Sequence, residues 1–169
     1  MMDVLQAIMS RRSVRNFLTK PIEAHKTELL LRAAMQAPSA HNRQPWYFVV
    51  INRRSLLTAI ADFHPYAKML YKAPMAIAVC GDFNLENDER YLALNAAAAT
   101  QNILLAAHGL DLGAVWIAVY PREERIQKIS ALLELPSHIL PISLVAVGYA
   151  ARKVPPESRY DTQKIRFIS

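Results

Sequence analysis

Five consecutive positions near the amino terminus, Arg11-Arg12-Ser13-Val14-Arg15, gather three guanidinium groups and one hydroxyl. In an extended segment successive side chains turn to opposite faces, so Arg11, Ser13 and Arg15 share one face while Arg12, Val14 and Asn16 share the other. The first face is a small anion trap. Guanidinium groups fork onto phosphate oxygens, and the serine hydroxyl or a backbone N–H takes a further oxygen. The competing reading of the same residues is a basic surface turn before a strand, and the rest of the chain has to tip the balance.

Other chemistry is thin. The chain has four glycines, Gly81, Gly109, Gly113 and Gly148, and none falls in a Gly-x-Gly-x-x-Gly or Walker-type loop, so a bound phosphate must be held by side chains. The five histidines are scattered without an i, i+4 pair, which gives a metal site little support. No Gly-x-Ser-x-Gly elbow marks a hydrolase serine. Cys80 is the single cysteine, which excludes an internal disulfide, and its apolar surroundings suit a buried inert thiol. Carboxylates such as Glu123 and Glu124 fall on solvated helix faces. If this chain is an enzyme, a bound cofactor supplies the reactivity.

The net charge of +6 suits an anionic ligand or a nucleic acid, but Lys and Arg are spread along the chain and aromatics are not interleaved with them. No basic-then-apolar leader opens the sequence and no apolar stretch reaches the roughly 18 residues of a membrane span, so a soluble, cytoplasmic protein with no membrane partner is expected.

The elements that must position these residues fit one domain of 169 residues, 1–169, without repeat or linker. A helix is expected over 3–10 with Asp3 as N-cap, and a second over 23–36. The loop 38–45, dense in polar side chains between two prolines, leads to a strand over 46–51 buried on both faces. A short helix at 56–63, a turn at 66–71 and a strand at 75–80 closed by Gly81 follow. The longest helix, 88–108, is apolar nearly all round with a run of alanines, so it is expected to be central and partly at a subunit interface. A third buried strand, 113–120, precedes a helix to about 133 opened by Pro121 at its first position. In the fourth strand, 139–147, Pro141 argues for an edge or a bulge. The charged tail, 150–169, has too little apolar surface to fold alone; residues 164–167 alternate like an edge strand, and the tail is expected to extend onto a partner subunit. Alternation of strands and helices, taken alone, suggests a parallel doubly wound sheet.

Arg11-Arg12-Ser13-Val14-Arg15-Asn16-Phe17, Ala37-Pro38-Ser39-Ala40-His41-Asn42-Arg43-Gln44-Pro45-Trp46 and Gly113-Ala114-Val115-Trp116-Ile117-Ala118 occur in the order and spacing of the nitroreductase family of FMN-dependent oxidoreductases. The chain resembles that family from Arg11 to the region of Arg159. The resemblance implies an α+β fold, a mixed and mainly antiparallel sheet flanked by helices, in an intertwined homodimer with FMN sites at the interface; it overrides the parallel pattern. It implies FMN as cofactor, NAD(P)H as co-substrate, and hydride passing through FMN N5 to a quinone or nitroaromatic acceptor, with no side chain required as catalyst.

By the same resemblance Arg11, Arg12, Ser13 and Arg15 form the cofactor-binding segment, in which Arg11, Ser13 and Arg15 match contacts to the FMN phosphate and ribityl chain. Arg159 matches a basic group closing on the phosphate from the tail. Pro38, Ser39, Asn42 and Gln44 match the loop that meets the flavin from the other subunit; the alternative there is an Asx-type turn with solvated tips. Lys68 matches a lysine at the flavin N1/O2 edge, or is a plain exposed lysine. Trp116, Ile117 and Ala118 match a segment whose backbone N–H groups reach the N5 and O4 region, though Trp116 also suits an ordinary core.

Two departures stand out: Glu157 where relatives are often basic, and Ala118 where they usually carry glycine. The short connection 82–89 leaves no room for the helical insertion that provides an aromatic lid in larger relatives, so a more open pocket is expected. Alternatives are a specialised member such as a reductive dehalogenase or flavin-consuming enzyme, an FMN-binding or delivery module without turnover, and, further off, a nucleic-acid-binding domain.

Overall fold

A computed structural model describes residues 2–152 and 154–168; Met1, Lys153 and Ser169, which the expected domain and tail include, lie outside the described residues. Helix α1 (Val4–Ser10) begins where the Asp3 carboxylate accepts the N–H groups of Leu5 and Gln6. It is followed by α2 (Ala24–Met35), β1 (Trp46–Ile51), α3 (Arg54–Phe63), β2 (Met75–Asp82), α4 (Glu89–Gly109), β3 (Gly113–Ala118), α5 (Glu123–Leu132) and β4 (Ile139–Gly148).

Among the described residues the sheet has four strands in the order β1-β2-β4-β3, and every pairing is antiparallel. This corrects the doubly wound pattern and agrees with the α+β arrangement. After β1 ends at Ile51, α3 and a 3-10 turn at Lys68–Tyr71 carry the chain out and back to the same end of the sheet, where Ala76 pairs with Ile51. Alternation in sequence does not fix direction when the connection returns to the end it left.

The sheet is covered on both faces. Ala76, Ala78 and Cys80 of β2 turn toward Leu57 and Ile60 of α3 and Ile129 of α5, whereas Met75, Ile77 and Val79 turn toward Leu30 of α2 and Ala99 and Ile103 of α4. Two-sided burial explains the continuous apolar runs of β2 and β4. Cys80 is fully buried, and burial pushes its thiol up to about 12, where it is inert.

Several expectations fail for identifiable reasons. The strands β1 and β3 end the sheet, so a neighbour covers each from one flank: Tyr47, Val50, Trp116 and Ala118 are not buried. Of the two alternatives for Pro141 the bulge holds and the edge does not: it lies in a central strand, where the register with β2 shifts between Val79 and Cys80. Pro121 precedes the N-cap Arg122 rather than occupying the first helical position. Residues 164–167 form no strand; the tail instead carries a 3-10 turn at Thr162–Lys164, where the Asp161 carboxylate accepts the Gln163 N–H.

The arginine segment is clamped beside this sheet. Val14 N–H donates to the Ala114 carbonyl (3.0 Å), Leu18 N–H to Tyr149 (2.8 Å), and Ala151 N–H to Asn16 (2.9 Å). Val14 and Phe17 are buried, and each occupies the space a side chain would take at a glycine. A Cβ on Gly113 would lie 2.7 Å from Val14 Cγ1, and one on Gly148 would lie 2.9 Å from the Phe17 ring. Two of the scarce glycines thus permit close approach of the segment's anchors. Gly113→Ala is expected to cost about 1–3 kcal/mol by overpacking, because Val14 meets the new methyl with its Cβ and both methyls. Thermal denaturation with and without FMN checks this; an unchanged midpoint would show that Val14 is not so confined.

Candidate functional site

The clamp sets the orientation of the anion trap. Val14 faces the core and Arg15 is exposed, as alternation requires, but Arg11, Arg12 and Ser13 are all half-buried, Arg11 shares a hollow with Arg12 rather than with Arg15, and Asn16 is exposed next to buried Phe17, so the expected two faces hold only at Val14 and Arg15. Ser13 bridges Ala114 in parallel, which places the segment along the outer edge of β3.

Ala114 thereby spends its backbone groups on this segment, facing away from β4. Alternate residues of a strand turn their amide groups to opposite sides, so Trp116 and Ala118 also present theirs to the outer edge. That edge is the floor of a cleft of about 430 Å³ lined by Arg15, Lys68 and Trp116, Ile117 and Ala118, together with Tyr66, Met69 and Arg125. A hollow of about 480 Å³ adjoins it through Arg15 and Lys68. Both volumes suit a small organic ligand. Lys68 is tethered by donation from Nζ to the Ala61 carbonyl (2.8 Å).

The carbonyl of Ala118 is held from two sides, by His64 Nε2 (3.0 Å) and Arg125 Nη1 (2.9 Å). His64 Nδ1 accepts from the Tyr66 N–H (3.2 Å), so Nε2 carries the proton and the ring is neutral. Burial pushes the His64 pKa below its ordinary 6.5. Between the lowered value and 6.5 the unfolded chain binds the proton more readily, so stability contributed by His64 is full above about pH 6.5 and is lost as pH falls through that window. Denaturant midpoints measured from pH 7.5 downward are expected to fall, and His64→Gln is expected to flatten the trend; an equal slope in the variant would remove His64 as its source.

A second pole of charge lies at the other end of the segment. Burial first, and then the neighbouring guanidiniums of Arg159 and Arg12, push Arg11 below its usual range. Arg12 is relieved by an ion pair with Glu157 (2.9 Å), and among the described residues Arg11 has no such partner. Arg11 and Arg12 line a hollow of about 480 Å³ with Ser10 and His108, apart from Arg15 in the cleft.

The loop 38–44 is a third group. His41, Asn42 and Gln44 adopt left-handed backbone angles, φ 52°, 54° and 52°. The conformation is fixed by Gln44 N–H to Ser39 Oγ (2.9 Å), Gln44 Nε2 to Asn42 Oδ1 (3.0 Å) and Ala40 N–H to the buried Asn95 Oδ1 (3.1 Å). Strained non-glycine backbone held this firmly is characteristic of functional loops. Among the described residues, Pro38, Ser39, Asn42 and Gln44 do not line the cleft of their own chain.

The structure therefore joins Arg15, Lys68, Trp116, Ile117 and Ala118 in one cleft, joins Arg11, Arg12 and Arg159 at a charged pole, and leaves the 38–44 loop separate. Sequence reasoning missed His64, Tyr66 and Arg125. None belongs to a motif, and they converge only because α3, the following turn and α5 meet the end of β3.

A family model described as "Nitroreductase family" matches residues 8–68 and 62–149. A Methanothermobacter thermautotrophicus protein named "Putative NADH dehydrogenase/NAD(P)H nitroreductase" is 42% identical over 164 residues, covering 97% of this chain and 86% of that protein. The crystal structure of a protein of the same name from Parabacteroides distasonis superposes with TM-score 0.95 at 40% identity, covering 100% of this chain and 99% of the other. A "putative nitroreductase in complex with fmn" from Desulfovibrio desulfuricans has TM-score 0.85 and 31% identity, covering 100% and 98%.

Proposed function

Because the chain belongs to the nitroreductase family, we propose that it works as an FMN-dependent NAD(P)H oxidoreductase whose cleft serves a quinone or nitroaromatic type of acceptor. When bound, FMN supplies the redox chemistry, accepting hydride from NAD(P)H and returning electrons to the acceptor. The chain's own residues bind, orient and polarise.

The observation that carries this reading is the half-buried Arg11 guanidinium, which lies beside Arg12 and Arg159 and has no ion-pair partner among the described residues. Asp111 lines the hollow of Arg11 and Arg12, and Arg12 is paired with Glu157; the three guanidiniums together fit a phosphate dianion, which supplies the fork-shaped acceptors for Arg11. Arg15 and Ser13 continue the grip toward the ribityl chain. The outward N–H groups of Trp116 and Ala118 suit acceptor atoms on the edge of a planar ring. The Lys68 ammonium stabilises negative charge developing on the ring during reduction. Ala118 in place of glycine is compatible with this role, since its backbone donates and its carbonyl is already fixed by His64 and Arg125.

The site is completed across a homodimer in this reading. Val4, Leu5, Ile8 and Met9 of α1 are 65%, 63%, 49% and 73% exposed, and Leu94 of α4 is 65% exposed. An apolar surface on two packed helices is suited to a second copy, which would bring Pro38, Ser39, Asn42 and Gln44 to the partner's flavin. Exposed Tyr160, Phe167 and Ile168 support a tail that reaches across. The experiment is anaerobic: purified protein should hold one FMN per chain, bleach with NADH or NADPH, and recover colour with a quinone or nitroaromatic. A yellow protein inert to both nicotinamides would favour a flavin carrier.

A further inference from the structure

We infer that the cleft selects electron acceptors carrying an anionic group on an aromatic ring, with Arg125 and Tyr66 as the recognising pair. This rests on the oxidoreductase reading above. That reading occupies Arg11, Arg15, Arg159 and Lys68 with FMN, and it uses Arg125 only to fix the Ala118 carbonyl, leaving its other donors unassigned. Among the described residues Arg125 makes no ion pair, although carboxylates are close in sequence. Glu124 is engaged by Lys128 (2.7 Å), Glu123 accepts from Gln127 (2.9 Å), and Asp62 accepts from the Tyr71 hydroxyl (2.6 Å). The cleft and its adjoining hollow are lined by Arg15, Lys68, Lys72 and Arg125, with no Asp or Glu among the described lining residues.

The placement of Arg125 is preorganised. One nitrogen is fixed on the Ala118 carbonyl at the cleft floor, and the guanidinium carbon lies 5.5 Å from the Tyr66 ring centroid. Such a guanidinium keeps further donors free for a carboxylate or sulfonate without losing its position. Tyr66 is 70% exposed and presents an aromatic surface where no inserted lid covers it. A ring bearing an acid group meets both features together.

The test uses the FMN-loaded protein, oxidised and without reductant. Binding of 4-nitrobenzoate and of neutral 4-nitrobenzamide is read from the change each causes in flavin absorbance. Nitrobenzoate should bind roughly tenfold tighter at low salt, and the gap should narrow in about 0.5 M salt. Arg125→Gln, which keeps a donor for Ala118, should abolish the gap, and Arg125→Lys should retain most of it. Equal binding of both ligands by wild-type protein with full FMN overturns the inference and leaves the oxidoreductase reading standing, whereas failure to hold FMN overturns that reading itself. The wild-type comparison stands even if a variant does not fold. If Arg125→Gln instead changes only the ratio of kcat/KM for NADH and NADPH, the anion recognised is the nucleotide phosphate and the acceptor assignment is wrong.

Discussion

Arg11→Ala is expected to weaken FMN binding roughly 100-fold, the loss of a bidentate charge-assisted contact from a partly buried pole. Arg12 already shares its charge with Glu157 at 2.9 Å, so Arg12→Ala should cost far less, within about tenfold. Arg11 is pushed below its ordinary range first by burial and then by its neighbours Arg159 and Arg12, so on the proposed site a bound anion would relieve it. On the proposed FMN site, the pairing of Arg12 with Glu157 would concentrate phosphate affinity on Arg11 and Arg159. Flavin-fluorescence titration of the cofactor-free variants checks the ranking, and Arg12→Ala proving the more damaging would reverse the assignment. Because ligand binding adds to stability by mass action, Arg11→Ala should also lose most of the FMN-dependent rise in melting temperature.

Leu5→Glu combined with Leu94→Glu should convert a dimer to a monomer and remove FMN with it. Both leucines are more than 60% exposed, at 63% and 65%, so the charges are harmless to a lone chain. At a closed interface each would leave a carboxylate buried without a partner, at a cost of several kcal/mol. On the proposed dimer, loss of the partner would also remove the loop 38–44 from the flavin, which couples the two readouts. Sedimentation and bound-flavin absorbance measured on the same sample check this. A monomer that keeps full FMN would show that the loop is not part of the site; a dimer that persists would place the interface elsewhere.

The arginine segment was legible because strand alternation is a property of the backbone, and Val14 and Arg15 obey it. Pro141 was legible as an edge or a bulge because a residue without an N–H cannot complete a ladder, and the fold selects the bulge. Composition could not show that β1 and β3 end the sheet: an apolar run reports that a strand is covered, not how many neighbours it has. Direction was hidden for the same reason, since the return of α3 to its starting end depends on packing. His64 and Arg125 are 61 residues apart by position, and only the fold puts both on the Ala118 carbonyl. The two glycines under Val14 and Phe17 carry no turn signature, so their role as contact points emerges only when the segment is seen against the sheet.

The most direct test compares FMN with riboflavin on the cofactor-free wild-type protein at low ionic strength. The two ligands share the ring and ribityl chain and differ in the phosphate alone. If the guanidinium pole holds the mononucleotide, FMN binds at least roughly 100-fold tighter and the difference shrinks steeply with salt. Equal affinities, independent of salt, would contradict the account.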